Sequence, residues 1–371
     1  MSYAPLSVRA PVRDAVRRFL ADVVPLDRVR EISATESGFD PVAWRRLATE
    51  LDVQALVVPA SYGGADGGWA DLAVVAEEMG RALTPGPFLA TLGLALPAIV
   101  ATGDEAAAAD LLPGIARGDT VATLAWAGDD GTWALDPTRV TATRAGDESW
   151  RLTGHRSYVL DGHVAGLLLV CAETADGPGL FAVHGDAAGL RRTVQPTMDQ
   201  TRRLARLDLS EVPARRLACA SVADVVAQAL DRASILLGAD MVGGAQACLD
   251  ASVAYARERE QFGRPIGSFQ AVKHLCAEML VQIEAARSAV RYASFALDER
   301  PAEVPALACL VKALAGEAYL RAAGDNVQIH GGIGFTWEHP AHLYLKRARS
   351  SDGLFGRADL QRRALADRIG L

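Results

Sequence analysis

The stretch from Phe269 to Leu297, FQAVKHLCAEMLVQIEAARSAVRYASFAL, indicates the fold because its apolar residues follow a regular helical period. Nine of them succeed one another in alternating steps of three and four residues: Phe269, Val272, Cys276, Met279, Ile283, Ala286, Val290, Ala293 and Leu297. This spacing places them in one continuous stripe, which is typical of a long helix packed in a bundle. Ser268 is the expected N-cap, and Pro301 is expected to end the helix.

The regions around this helix are also helical in pattern. The sequence predicts a second long helix over residues 304–329. Residues 9–24 are amphipathic, Pro41 begins another helix, and apolar residues recur three and four apart between Leu72 and Leu83. We therefore expect an N-terminal helical domain over residues 1–118 and a C-terminal four-helix bundle domain over residues 223–371.

Residues 119–222 have a different pattern. Short apolar runs bounded by glycine and aspartate occur at 121–126, 150–153, 167–171 and 180–183. Leu207 and Leu209 alternate with polar residues, which is the period of a half-buried strand. These runs predict a middle antiparallel β domain over residues 119–222. The expected fold class is therefore α+β, mainly α.

The composition narrows the class of protein. The chain has 371 residues, a formal net charge of −7 and 50% hydrophobic residues, which is enough to build a large core. The acidic balance, without a dense run of Lys or Arg, argues against nucleic acid as a partner. The five cysteines are scattered, and neither a signal peptide nor an apolar run of membrane-spanning length is present. We expect a cytoplasmic protein without a membrane span.

Two glycine-rich runs and a histidine pair resemble ligand sites when each is taken alone. The runs at 63–68 and 331–334 do not follow a predicted strand, as a dinucleotide-binding loop does, so their spacing favours plain turns. His339 and His342 form an HxxH pair around Pro340. No third ligand is evident, and we therefore expect no metal site.

Two longer motifs are more specific. Residues 255–270 read YAREREQFGRPIGSFQ, and residues 328–340 read QIHGGIGFTWEHP. Both resemble signatures of the acyl-CoA dehydrogenase family of flavoproteins, and residues 207–213, LDLSEVP, are similar to its second β-domain signature. The order of helices, strands and helices also matches, so the resemblance covers nearly the whole chain. It implies the acyl-CoA dehydrogenase-like fold, an FAD cofactor, α,β-desaturation of an acyl-CoA thioester and electron transfer to an electron-transfer flavoprotein.

The resemblance also implies an FAD site shared between two subunits. In the family, an arginine and a phenylalanine of the R-x-x-F-G element reach the adenine and pyrophosphate of a neighbour's FAD. The positions that match this half of the site are Arg259, Phe262, Gln270, Gln328, Gly331 and Gly332. A guanidinium complements phosphate charge, and paired glycines let backbone amides approach it closely. Alone, Arg259 would be interpreted as a solvated charge at a helix end; within the full motif the cofactor role is favoured.

The catalytic side of the site departs from the family pattern. Family enzymes remove the α-proton of the thioester with a glutamate, but the two positions where relatives carry it are occupied by Phe355 and Ala233. Neither residue can accept a proton, so the catalytic residue is unknown. The flavin-stacking W-x-T element reads Tyr158-Val159-Leu160, and the segment that usually contains Thr-Glu-Pro reads Ala125-Trp126-Ala127. The catalytic side of the site therefore lacks the family's functional residues, whereas the half that contacts a neighbour's FAD has them. This difference indicates a division of roles between two kinds of subunit.

Several interpretations stay open at this point. The favoured one is the glutamate-lacking subunit of a heteromeric α2β2 bacterial acyl-CoA dehydrogenase, as in sterol side-chain catabolism, completing the FAD site of a glutamate-bearing homologue. One alternative is a self-sufficient homotetramer with an unconventional base, although Asp231, Asp240 and Asp352 each fit a surface or capping carboxylate better. The others are a flavin-dependent oxidase or oxygenase on the same fold and a purely structural role without flavin. The sequence does not specify the acyl chain, whether short, branched, fatty or sterol-derived.

Overall fold

A computed structural model describes residues 9–65, 67–146 and 149–371 of the chain. Residues 1–8 of the predicted N-terminal domain, position 66 of the first glycine run and positions 147 and 148 of the predicted β domain lie outside these ranges. The α-helices of the described residues are α1 (Ala10–Val23), α2 (Leu26–Ala34), α3 (Pro41–Leu51), α4 (Trp69–Arg81), α5 (Leu96–Thr102), α6 (Glu105–Ala116), α7 (Val222–Glu258), α8 (Gln270–Glu299), α9 (Val304–His330), α10 (Ala341–Gly353) and α11 (Ala358–Ile369).

The strands lie between α6 and α8. They are β1 (Ala122–Ala125), β2 (Val140–Arg144), β3 (Ser149–Leu160), β4 (Leu167–Thr174), β5 (Gly177–His184), β6 (Leu190–Gln195), β7 (Leu204–Leu217), β8 (Glu260–Gln261) and β9 (Arg264–Pro265). The order of helices, strands and helices confirms the α+β, mainly α class. By their contacts the residues form two compact units: one holds the chain up to Arg30 together with Trp69–Thr84 and Ser234–Leu371, and the other holds Glu31–Gly68 and Pro85–Ala233.

The predicted helix starts follow from local capping. The carboxylate of Asp40 accepts hydrogen bonds from the amides of Val42 and Ala43, and Pro41 occupies the first turn of α3. Both features stabilise a helix N-terminus, since the first amides have no partner within the helix. Asp52 then ends α3 in the left-handed conformation, with a φ of 51°.

Helix α8 buries most of the predicted stripe. Met279, Ile283, Ala286, Val290, Ala293 and Leu297 are all buried. The prediction of Ser268 as N-cap was wrong: Ser268 ends a 3-10 turn over Ile266–Ser268, and α8 begins one residue beyond Phe269, which contributes no capping side chain. This turn closes through a hydrogen bond from the Phe269 amide to the Ile266 carbonyl, which moves the helix start along the chain. Pro301 begins a 3-10 turn just after α8, as expected.

The C-terminal helices pack closely because α7 carries small residues where it meets its neighbours. A Cβ at Gly238 would lie 2.2 Å from a methyl group of Val311, and a Cβ at Gly244 would lie 2.4 Å from the ring of Tyr319. Both contacts are with α9, which also contacts α8, α10 and α11. Close approach of the backbones therefore requires glycine at both positions.

The strands of the middle region form a seven-stranded sheet in the order β1-β4-β2-β3-β7-β5, with β6 added beside β7. Most pairings are antiparallel, as predicted, but β1 pairs with β4 in parallel over four residues, and β2 and β4 share one parallel residue pair. The apolar face of the sheet buries Trp150 against Phe181, with ring centroids 5.3 Å apart. No helix of the described residues is long and apolar enough to cross a membrane.

Candidate functional site

The R-x-x-F-G motif lies on a hairpin that follows α7. The Arg259 amide donates to the Tyr255 carbonyl, and the Arg259 carbonyl accepts from the Ile266 amide, both at 2.8 Å. Phe262 and Gly263 form the turn with φ values of 54° and 73°. The Arg259 side chain is exposed, and Phe262 is 92% exposed. The turn therefore leaves the phenyl ring accessible from outside the chain.

The glycine motif lies at the end of α9. Gly331 has φ 63° and ψ −140°, a conformation that residues with a side chain rarely adopt. Apart from each glycine and its chain neighbours, no atom of the described residues lies within 4 Å of a Cβ built at Gly331 or Gly332. The described residues therefore leave open space above both backbone units. Three large apolar side chains on the same segment are also exposed, Ile333 at 47%, Phe335 at 78% and Trp337 at 65%.

The two motifs come together through stacked rings. The Tyr255 ring lies on the His330 ring, with centroids 4.4 Å apart, and His330 contacts His339 at 4.3 Å. Neither Tyr255 nor His330 was predicted as a site residue, although both lie within the two motifs at 255–270 and 328–340. The remaining predicted cofactor residues are exposed: Gln270 is the first residue of α8, and Gln328 lies in the last turn of α9.

The first base position, Phe355, is buried in the segment between α10 and α11. Its φ of 58° is unusual for a residue with a side chain, and its carbonyl accepts a hydrogen bond of 2.6 Å from the Gln361 amide group. The buried ammonium group of Lys312 donates to the carbonyls of Asp352 and Gly356, at 2.9 and 3.1 Å. Hydrogen bonds therefore hold the segment from Asp352 to Gly356, but the residue at the expected position of the catalytic base is a phenylalanine.

The second base position, Ala233, is fully buried. It packs against the π-helical segment Leu89–Ala95, where a Cβ at Gly93 would lie 3.5 Å from the Ala233 Cα. A glutamate at this position would need space that this packing does not provide. The chain therefore lacks a proton acceptor at both positions.

The three carboxylates that could replace the missing base, Asp231, Asp240 and Asp352, are all buried. Asp240 is buried, and its Oδ1 lies 3.3 Å from a guanidinium nitrogen of Arg347, which also donates to the Thr84 carbonyl. Asp352 is buried too, and its Oδ1 faces α9, 3.2 Å from a Cβ built at Gly316. Asp231 is likewise buried and has an interaction partner. The settings of Asp240 and Asp231 are typical of structural carboxylates, whereas Asp352 Oδ1 has no hydrogen-bond partner among the described residues.

The strand end that matches the W-x-T element carries an aromatic cluster. The Tyr158 ring lies 6.3 Å from that of Trp133, which in turn lies 5.8 Å from that of Trp126. The indole Nε1 of Trp126 donates to the Trp133 carbonyl at 2.9 Å, and the Tyr158 amide donates to the Gln195 side chain at 2.9 Å. Trp133 was not predicted as part of any site, since nothing in the local sequence relates it to Tyr158.

Arg156 fixes the loop that carries this cluster. The side chain is almost fully buried, and it donates to the carbonyls of Trp126, Ala127, Asp136 and Cys171. Burial lowers the pKa of this guanidinium below its ordinary value. A buried arginine that bonds to carbonyls holds the backbone of residues 126–136 in one position.

The HxxH pair, His339 and His342, contacts neighbouring protein groups. His339 accepts a hydrogen bond at Nδ1 from the Ala341 amide, and the His342 ring lies 4.9 Å from that of Trp337. Among the residues that the structure describes, no three His, Cys, Asp or Glu side chains are grouped as metal ligands. The five cysteines form no disulfide.

Comparison with known proteins decides the family. A model of the acyl-CoA dehydrogenase C-terminal domain matches residues 223–370, and a model of the N-terminal domain matches residues 9–119. The chain belongs to the acyl-CoA dehydrogenase family. It is therefore a flavoprotein oxidoreductase of the kind that acts on CH–CH groups, with FAD as cofactor, and the sequence-based expectations of family, fold and cofactor are confirmed.

Several relatives of this acyl-CoA dehydrogenase are similar along most of their length. Acyl-CoA dehydrogenase IpdE2 of Mycobacterium tuberculosis is 36% identical over 354 residues, covering 94% of this chain and 92% of the relative. The solved Tcur3481-Tcur3483 steroid acyl-CoA dehydrogenase variant has a TM-score of 0.86 and 34% identity, with 98% of each chain covered. The ChsE4-ChsE5 complex of M. tuberculosis has a TM-score of 0.87 and 28% identity, covering 100% of this chain and 99% of that chain.

The residues present fit one half of an FAD. The open backbone at Gly331 and Gly332, with the exposed Arg259 and Phe262, suits a nucleotide diphosphate and an adenine. When bound, FAD supplies the hydride acceptor of the desaturation. Leu160, at the position that matches the threonine of the W-x-T element, is buried and carries no hydroxyl group.

Proposed function

We propose that this chain is the glutamate-lacking subunit of a heteromeric acyl-CoA dehydrogenase. It contributes Arg259, Phe262, Gln270, Gln328, Gly331 and Gly332 to an FAD whose flavin ring is held mainly by a homologous subunit. That homologue also supplies the base that removes the α-proton of the acyl-CoA. In this proposal the chain is organised into three domains: an N-terminal helical domain (1–118), a middle β domain (119–222) and a C-terminal helical domain (223–371).

One observation carries the proposal. The motifs expected to face the cofactor are exposed, whereas the two positions expected to hold the catalytic base carry residues that cannot accept a proton. Gly331, Gly332 and Phe262 are displayed outward, while Phe355 and Ala233 are buried and cannot take a proton. A self-sufficient enzyme needs both halves of its site. A partner subunit needs only the half that this chain retains.

The relatives support the same assembly and a substrate class. One of the similar solved structures is the Tcur3481-Tcur3483 steroid acyl-CoA dehydrogenase, and another is the ChsE4-ChsE5 complex, which contains two different chains. We infer an acyl-CoA with a steroid-derived side chain as substrate, an α2β2 tetramer as the assembly and an electron-transfer flavoprotein as electron acceptor. The five free cysteines suit a reducing cytoplasm.

The test compares the chain alone with the chain co-expressed with a glutamate-bearing homologue encoded beside it. The flavin absorbance spectrum reports FAD occupancy, and reduction of an artificial acceptor with steroid acyl-CoA reports desaturation. We expect FAD and turnover only in the co-expressed pair. Full FAD occupancy together with turnover by this chain alone would contradict the proposal and support the homotetramer.

A homotetramer with an unconventional base finds no support in the settings of Asp240 and Asp352. Asp240 of α7 is buried against Arg347 of α10, and Asp352 of α10 is buried with its Oδ1 facing α9. No observation favours an oxidase or oxygenase. Oxygen consumption without an acyl-CoA substrate is the measurement that would revive that alternative.

A further inference from the structure

Three helix ends meet at the stacked rings of Tyr255, His330 and His339. Tyr255 lies in the last turn of α7, His330 is the last residue of α9, and His339 lies just before α10. The ring centroids are 4.4 Å apart between Tyr255 and His330 and 4.3 Å apart between His330 and His339. His330 is buried at the centre of the stack, and Tyr255 and His339 on either side of it are half-buried.

Each imidazole is also tied to its own helix end. The Nδ1–H of His330 donates to the Asn326 carbonyl at 2.8 Å, one turn earlier in α9. The Nδ1 of His339 accepts from the Ala341 amide at 3.2 Å, at the start of α10. These bonds assign each ring one tautomer and one orientation. A buried hydrogen bond from the Ser252 hydroxyl to Asn326 Oδ1, at 3.0 Å, joins α7 to α9 one turn further from the stack.

The stack connects directly to the backbone of both cofactor motifs. The Tyr255 carbonyl accepts a hydrogen bond of 2.8 Å from the Arg259 amide. The backbone of Tyr255 therefore holds the point where the hairpin leaves α7. Gly331 follows His330 in the chain, and a Cβ at Gly334 would lie 2.9 Å from the His330 Cβ. The turn over residues 331–335 therefore wraps tightly around the His330 side chain. The ring contact thus joins the two segments of chain that carry Arg259 and Gly331.

We propose that Tyr255, His330 and His339 are positioning residues that set the spacing between the two cofactor-facing motifs. The proposal rests on the proposed function, because it concerns FAD bound to that half-site. The three residues act through Arg259 and the Gly331-Gly332 amides and need no contact with the cofactor themselves. Loss of a ring contact should weaken FAD binding while leaving every cofactor-facing side chain in place.

The experiment measures FAD affinity in the co-expressed pair, by fluorescence titration of the protein stripped of flavin. We expect Tyr255→Leu and His330→Ala each to raise the FAD Kd about fivefold, the equivalent of about 1 kcal/mol for an aromatic pair. Tyr255→Phe and His330→Phe keep the rings and should stay within about twofold of the unmodified protein, by the same conversion. His184→Ala removes an exposed imidazole from the β domain and serves as the matched control.

A second measurement separates positioning from simple destabilisation. The unfolding midpoint of the flavin-free pair is recorded for every variant, and the Kd is determined only from folded protein. Equal FAD affinity in the leucine, alanine and phenylalanine variants, whatever their unfolding midpoints, would overturn the proposal. If the unmodified pair binds no FAD, the proposed function fails instead, so the two failures are distinguishable. If His330→Ala does not fold, the contrast between Tyr255→Leu and Tyr255→Phe decides.

Discussion

The ammonium group of Lys312 donates a hydrogen bond to the carbonyl of Gly356, 3.1 Å away. Lys312 belongs to α9, and Gly356 follows Phe355, which occupies one of the two base positions expected from the family resemblance. A second bond, to the Asp352 carbonyl at 2.9 Å, holds the other end of the same segment. A buried charged side chain therefore holds the segment that contains Phe355 at both ends.

The first prediction concerns this anchor. Lys312→Met should lower the free energy of unfolding by about 2–4 kcal/mol, because buried carbonyls lose charge-assisted hydrogen bonds. Urea unfolding followed by circular dichroism measures the change. Lys273→Met, at an exposed position of α8, is the control and should change stability by less than about 0.5 kcal/mol. Equal stability of the two variants would contradict the assigned role of Lys312.

The second prediction concerns the exposed arginine of the first motif. Arg259→Ala in the co-expressed pair should weaken FAD binding by about 10–100-fold, since a charge-assisted hydrogen bond contributes about 1.5–3 kcal/mol. Arg257→Ala is the matched control, because Arg257 is an exposed arginine only two residues earlier. Flavin fluorescence titration measures both. An equal loss in the two variants would show a general charge effect instead.

The third prediction concerns pH. Burial lowers the pKa of His339 below its ordinary value of 6.5, and the nearby His330, His342 and Arg30 lower it further. The unfolded chain therefore binds a proton at a higher pH than the folded chain does. The stability contributed by neutral His339 is complete above about pH 6.5 and is lost as the pH falls through the folded-state pKa.

The measurement is the unfolding midpoint between pH 7.5 and pH 5, with the unmodified protein losing stability toward acid. In His339→Asn, which cannot titrate, the loss should be smaller. Other groups also titrate in this range, so the comparison is between slopes rather than between single midpoints. An identical slope in the two proteins would rule out a contribution from His339.

The fourth prediction separates a structural carboxylate from a base. Asp240→Asn should destabilise the protein by about 2–4 kcal/mol, because it removes the carboxylate charge that pairs with the buried guanidinium of Arg347. The desaturation rate of the folded pair should change by less than about twofold, since Asp240 performs no proton transfer. Asp250→Asn, in the more exposed ion pair with Arg81, is the control. A rate loss of orders of magnitude would identify Asp240 as the base of a self-sufficient enzyme.

Much of the architecture was predictable because it depends on short-range patterns. The apolar stripe of α8, the start of α3 at Pro41 and the end of α8 before Pro301 follow from residues within a few turns of one another. The predicted cap at Ser268 failed because the preceding turn, not the serine hydroxyl, sets the start of α8. The parallel pairing of β1 with β4 joins strands about 40 residues apart and left no local pattern.

The sequence by itself determined the family, through the two motifs at 255–270 and 328–340, and it determined that Phe355 and Ala233 cannot act as bases. Tertiary structure decided which groups stand together. It stacked Tyr255 on His330 across 75 positions of chain, joined Trp126 to Tyr158 through Trp133, and paired Asp240 with Arg347. A side chain's chemistry is a property of its residue type, whereas its neighbours depend on how distant segments pack, and this packing has no signature in local sequence.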